Sequence, residues 1–249
     1  QGYQEGLALR DLYLRKPEVM KIAEAIQQAH VFVNAHVKFF LGASIKANVA
    51  LITDTRLSVM KGRAPDESWL HDLARANIQF DVVYEDQISK DFLETFQCVV
   101  AYDAKLISDE ALDALAAYAD EGGPLMIYGD TGALTQWGQP RPNNPLSSSG
   151  SWEMAGEENV LYDFILANTT PLFEVLNCPY ALFTITTIAG NRDGFVVHIL
   201  NYWKHPLENV VVRCKDCGSA PYILALTPGC DRLERVDDAT WVIPKLGIY

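Results

Sequence analysis

Gly122-Gly123-Pro-Leu-Met-Ile-Tyr-Gly-Asp-Thr-Gly132 decides how this chain is read. The glycine pair ends a helix, Leu125–Tyr128 is a short buried strand, and Gly129-Asp130-Thr131-Gly132 makes a tight turn at the strand's carboxyl end. In an open α/β sheet, ligands and nucleophiles are displayed at such a turn. Here its tip offers Asp130 and Thr131 and neither Ser nor Cys. A nucleophile elbow needs an activated Ser or Cys with a nearby His, and residues 72–197 contain no His. The place for chemistry is present without its usual reagent, so no catalytic residue is assigned.

Upstream, the pattern alternates strand and helix. Residues 48–53 (Asn-Val-Ala-Leu-Ile-Thr) form a nearly continuous apolar strand, expected where both faces are covered. A helix opened by Pro65-Asp66-Glu67 and carrying Trp69, Leu70 and Leu73 leads to a strand at 79–84. A short helix at 89–96 precedes a strand at 98–102. Ser108 then caps a helix with Asp109 and Glu110 in its first turn, favourable for the helix dipole. This order predicts a parallel, flavodoxin-like sheet.

Two regions depart from it. Residues 17–41 predict a long core-packed connector helix: Pro17 suits the first turn, and Val19, Ile22, Ala23, Ile26, Ala29, Val33, Val37 and Phe40 recur near the helical period before Gly42. Residues 133–159 are rich in Pro, Asn, Ser and Gly and predict a long loop, which contains Trp137, Arg141 and Trp152. Beyond residue 176 the period becomes two, with strands expected at 180–187, 194–201, 209–214, 222–226, 232–236 and 240–244, a small β-sandwich. The fold class is therefore α/β plus all-β. The expected divisions are a connector helix region at 1–46, an α/β domain at 47–176 and a β-sandwich at 177–249.

Composition narrows the partners. The 249 residues are 49% apolar with a net charge of −12, which argues against nucleic acid or an anionic membrane as the main partner. Nothing in the pattern calls for a cofactor or a metal. Cys214-Lys-Asp-Cys217 resembles half a zinc knuckle, but Cys178, Cys230, His198 and His205 lack the paired spacing to complete it. Five cysteines fit a reducing, cytoplasmic compartment better than a disulfide framework. His198, inside an apolar run, reads as a core histidine. Trp137, Trp152 and Trp203 suit either carbohydrate, because an aromatic face matches the apolar face of a pyranose, or equally packing or an oligomer contact.

Residues 47–135, through Tyr-Ala-Asp-Glu-Gly-Gly-Pro-Leu (118–125) and Gly-Asp-Thr-Gly (129–132), resemble the β-galactosidase trimerisation domain, a class I glutamine amidotransferase-like fold without its catalytic Cys. Residues 196–249 look like the C-terminal β-domain of the same family 42 glycoside hydrolases, through Val-His-Ile-Leu-Asn-Tyr (197–202), Leu-Thr-Pro (226–228) and Val-Ile-Pro-Lys-Leu-Gly-Ile-Tyr (242–249). The N-terminal helix resembles the connector leaving their catalytic barrel. The resemblance implies a homo-oligomer and a catalytic (β/α)₈ barrel elsewhere in a longer polypeptide, an expectation that Gln1 in place of Met also suggests. Separately, the strand-end turn and the long loop make Asp130, Thr131, Trp137, Arg141 and Trp152 the expected substrate contacts. A different expectation is a stand-alone amidotransferase-like or ThuA-like enzyme, or a sugar-binding protein, using Asp54, Arg56, Asp103, Asp130 and Thr131 at the strand ends.

Overall fold

The computed structural model describes residues 16–54, 70, 73, 76–147, 152–155, 158–178, 181–188, 191–201, 205–215 and 233–246. Arg56, Trp203, Cys217, Cys230, the start of the helix at 65–69 and the strand expected at 222–226 lie outside them.

The chain divides into two compact units, Gln1–Ser44 with Thr186–Val196, and Ile45–Ile185 with Val197–Tyr249. In the first, α1 spans Pro17–Ala35 with Pro in its first turn. It is shorter than the sequence pattern predicts. His36 leaves the helical region at φ −121°, and a 3-10 turn, Val37–Phe39, follows. Val31, Phe32, Val33, Phe39 and Phe40 crowd this end, and β-branched and aromatic residues hold a helix less well than the alanine-rich turns before them. The expected core-packed stripe is also corrected: Ile26, Val33 and Val37 are exposed.

The second unit is built on a five-stranded sheet. β1 (Val49–Thr53), β2 (Phe80–Val83), β3 (Cys98–Tyr102), β4 (Leu125–Tyr128) and β5 (Glu153–Ala155) run in the order β2-β1-β3-β4-β5, every pair parallel. Period-two alternation distributes their side chains between two covered faces. Ala50, Ile52, Val99, Ala101, Leu125 and Ile127 pack with Leu112, Leu115 and Tyr118 of α3 (Asp109–Asp120). Val49, Leu51, Cys98, Val100 and Met126 pack on the other face with helical Leu70 and Leu73 and with Leu161 and Ile165 of α4 (Glu158–Asn168). Burial on both faces is why these strands read as unbroken apolar runs. It also pushes the Cys98 thiol up to about 12, leaving it inert at neutral pH.

Local signals act as expected here. Ser89 Oγ accepts the Phe92 N–H at the start of α2 (Lys90–Leu93), and Ser108 Oγ accepts the Ala111 N–H at the start of α3, each at 3.3 Å. The stretch 133–159 is not one long loop. It holds a short hairpin, a 3-10 turn at Pro145–Ser147, β5 and the start of α4. Proline density disguises β5, whose three residues are too few to show a period.

The β region forms a four-stranded antiparallel sheet, β10-β11-β9-β6, from β6 (Phe173–Leu176), β9 (Leu207–Cys214), β10 (Glu234–Arg235) and β11 (Thr240–Leu246). β7 (Ala181–Ile188) and β8 (Asn191–Asn201) pair separately as a two-stranded sheet. Cys214 is disulfide-bonded, where the cysteine count suggests reduced thiols; oxidation also removes it as a zinc thiolate. His198 is half-buried and not a core residue, and what burial it has pushes the imidazole toward its neutral form.

The opening motif has a steric requirement of its own. A Cβ on Gly123 would lie 2.4 Å from the ring of Tyr118, which is 3% exposed and held in the core. Gly123→Ala is therefore expected to cost about 1–3 kcal/mol, read as a lower urea midpoint with an unchanged denaturant slope.

Candidate functional site

The carboxyl ends of four parallel strands converge on one edge, where Asp54 follows β1, Glu85 and Asp86 follow β2, Asp103 follows β3 and Asp130-Thr131 follow β4. Between β1 and its neighbours lies a cavity of about 410 Å³, lined among others by Asp54, Tyr84, Glu85, Asp86, Leu106 and Ile107. In the strand order 2-1-3-4-5 the connections reverse direction between β1 and β3. That switch point is where open α/β sheets bind ligands, because the loops on its two sides diverge and leave a crevice.

Thr131, a candidate from its place in the turn, is 2% exposed. Its hydroxyl shares its proton between the carbonyls of Ala101 and Tyr128, each at 3.1 Å, and accepts the Ala104 N–H at 3.2 Å. A hydroxyl bonded on both its donor and acceptor sides does not attack a substrate. Its work is to join the ends of β3 and β4.

Asp130 stands in the open. Its carboxylate accepts a 2.8 Å bond from Lys105 Nζ, and its backbone N–H is held at 3.1 Å by Asp103 Oδ1. Lys105 also lies 3.4 Å from Asp103, so one ammonium serves two carboxylates on adjacent strand ends. The Lys105 hydrogen bond and charge hold the Asp130 carboxyl below its ordinary value, and the Asp130 partnership raises Lys105. Gly129 makes the approach possible: its φ is +66°, and a Cβ there would lie 2.7 Å from Asp103 Oδ1. Sequence pattern alone does not single out Lys105. Its only signal is Asp103-Ala-Lys105 at a strand end, which gains meaning once β3 and β4 are known to be neighbours.

Asp54 is buried and accepts the Leu106 N–H at 3.0 Å. Glu85 accepts the N–H of Ser108 at 3.1 Å. Arg141 turns inward: its guanidinium donates to the carbonyls of Gly132 at 3.1 Å and Ile107 at 2.7 Å and to the Asp109 carboxylate. Trp152 is half-buried against the core, its indole N–H buried without a hydrogen-bond partner. Trp137, by contrast, is 81% exposed. The five residues expected at the substrate thus divide: Thr131, Arg141 and Trp152 are drawn into the scaffold, while Asp130 and Trp137 face solvent. Among the described residues, no cluster of His, Cys, Asp and Glu is arranged to hold a metal, and no helix is long and apolar enough to cross a membrane.

No protein-family model matches this sequence, and no curated protein does. Solved structures share its fold. A GH42 β-galactosidase from G. stearothermophilus superposes with a TM-score of 0.56 at 10% identity, over 92% of this chain and 42% of that one. Alpha-L-fucosidase isoenzyme 2 from Paenibacillus thiaminolyticus gives 0.52 at 13% identity, over 88% of this chain and 50% of that one. The chain spans at most half the length of these two proteins, and the likeness is one of fold.

Two measurements test this description. Thr131→Val leaves the Ala104 N–H buried without its acceptor and is expected to cost about 1–3 kcal/mol, most of it restored in Thr131→Ser, by urea denaturation. By NMR titration, Asp130 is expected to titrate below its ordinary 3.8 and to return toward it in Lys105→Ala. The sign follows: a carboxyl lowered on folding favours the folded state above its ordinary range, and that contribution is lost as pH falls through the folded midpoint.

Proposed function

We propose that this chain is a non-catalytic assembly and accessory region of a glycoside hydrolase of β-galactosidase type, mediating self-association and edging a carbohydrate site. The observation that carries the reading is the fold it shares with part of a GH42 β-galactosidase. The strand-end turn supports it, because its one hydroxyl is spent on the backbone and its one exposed carboxylate is ion-paired. The trimerisation-type, amidotransferase-like identity suggested by residues 118–132 belongs to the same reading. In it, chemistry comes from a barrel carried by the rest of a longer polypeptide. This chain supplies a scaffold whose elbow has no nucleophile to offer.

A second reading, a stand-alone amidotransferase-like or ThuA-like enzyme or a sugar-binding protein, is favoured by the 410 Å³ cavity at the switch point. A cavity of that size is in the range of small-molecule sites. Its acidic lining suits a polyol whose hydroxyls donate.

Light scattering on the chain and on its full natural polypeptide, with a chromogenic β-galactoside assay on both, separates the two. The first reading expects a closed oligomer in both, and hydrolysis by the full polypeptide only. A monomer at every concentration, or hydrolysis by this chain alone, overturns it.

A further inference from the structure

The structure assigns a carbohydrate-docking role to the hairpin of residues 133–141, with Trp137 as the stacking surface for a neutral pyranose. The inference deepens the carbohydrate half of the proposed function and rests on it, while assembly is a separate property measured separately.

The hairpin is built to hold its tip still. The Arg141 N–H bonds the Ala133 carbonyl at 2.9 Å, the Thr135 N–H the Gln139 carbonyl at 2.8 Å, and the Gly138 N–H the Thr135 carbonyl at 2.8 Å. Thr135 Oγ1 accepts the Gln139 N–H at 3.3 Å. At the base, the Leu134 N–H reaches the Lys105 carbonyl at 2.9 Å, and Arg141 is anchored through Ile107, Asp109 and Gly132. A loop already ordered in the free protein loses little entropy when a ligand arrives. Such bonding is more than a solvated loop needs. Its effect is to hold out an indole, which can cover roughly 150–250 Å² of a partner.

The chemistry of the surface selects the partner. Across the chain 21% of residues are charged, yet from Thr131 to Trp152 Arg141 is the single charged residue. Its guanidinium is 8% exposed and occupied by the scaffold. What the hairpin presents outward is Trp137, Gln139 and Pro140, followed by Pro142 and Asn143, all exposed and all neutral. An aromatic plane beside carboxamides suits a neutral polyhydroxylated ring: the indole covers the axial C–H face and the amides pair with hydroxyls. It offers nothing to a phosphate or a charged peptide. The hairpin is also tied to the switch-point cavity, because Leu134 bridges to Leu106, which lines it.

The test is affinity electrophoresis of the intact chain in native gels containing soluble galactan, xylan, glucomannan or dextran, against polysaccharide-free gels. At least one polysaccharide is expected to retard the protein. Trp137→Ala should weaken that retention about tenfold, and Trp137→Phe should recover most of it. The substituted residue is solvent-facing, so circular dichroism and light scattering are expected to be unchanged in both variants. The proposal is overturned by no retardation in any of the four gels, or by equal retardation of Trp137→Ala. It is also overturned if Trp137→Ala changes the oligomeric state, which would make the hairpin a protein contact. A retarded but monomeric protein keeps this inference and removes the assembly reading.

Discussion

Everything at the carboxyl edge of the sheet depends on how a parallel sheet ends. Where strands stop, backbone N–H and C=O groups lose their ladder partners, and burying them unpaired is costly. This chain pairs them with side chains. Thr131 takes the carbonyls of Ala101 and Tyr128, Asp54 takes the Leu106 N–H, and Asp103 takes that of Asp130. Asn144 Nδ2 donates to the Thr131 carbonyl at 2.7 Å, and Arg141 closes on Gly132 and Ile107. Each bond adds about 0.5–1.5 kcal/mol net, but losing one exposes the full cost of a buried unpaired group. The asymmetry explains why so many polar residues sit at this edge.

Much of the fold is legible in the order of residues alone. Three of the five parallel strands are nearly unbroken apolar runs of four or five residues, and Ser89 and Ser108 announce their helices by capping. The misses share a cause, since each depends on partners distant along the chain. β5 has three residues and no period, and exists because β4 has a free edge. β6 joins the antiparallel sheet through β9, about forty residues away. The periodicity of α1 correctly marks a helix but does not say where His36 leaves it. At the site, Asp130 and Thr131 are visible from turn chemistry alone. The inward aim of Arg141 and the bridging by Lys105 are not, because both follow from β3 and β4 being neighbours.

Electrostatics also distinguish the parts of the surface. The chain carries a net charge of −12, which repels anionic partners. Charges near the edge are mostly tied in pairs, Lys105 with Asp103 and Asp130, and Arg141 with Asp109. Exposed pairs of this kind contribute little to stability, and their effect here is to remove free charge. In the hairpin beside them Arg141 is the one charged residue, and its guanidinium is bonded to the scaffold. The exposed tip of the hairpin, Trp137 to Pro140, carries no charge.

The directions of the shifted groups bear on two specific roles at this edge. A general acid needs its pKa raised toward working pH, so that it holds a proton to give; Lys105 moves Asp130 the other way. An amine nucleophile needs its pKa lowered, so that a free lone pair exists near neutrality; Asp130 moves Lys105 upward. Each shift favours the charged form, Asp130 as carboxylate and Lys105 as ammonium, which suits neither a general acid at the one nor an amine nucleophile at the other. The Thr131 hydroxyl donates its proton to strand-end carbonyls and accepts the Ala104 N–H. The edge has the outline at which open α/β sheets hold ligands, and the same interactions fix Asp130 and Thr131 in place. Beside them lie the cavity next to β1 and the exposed surface of the hairpin.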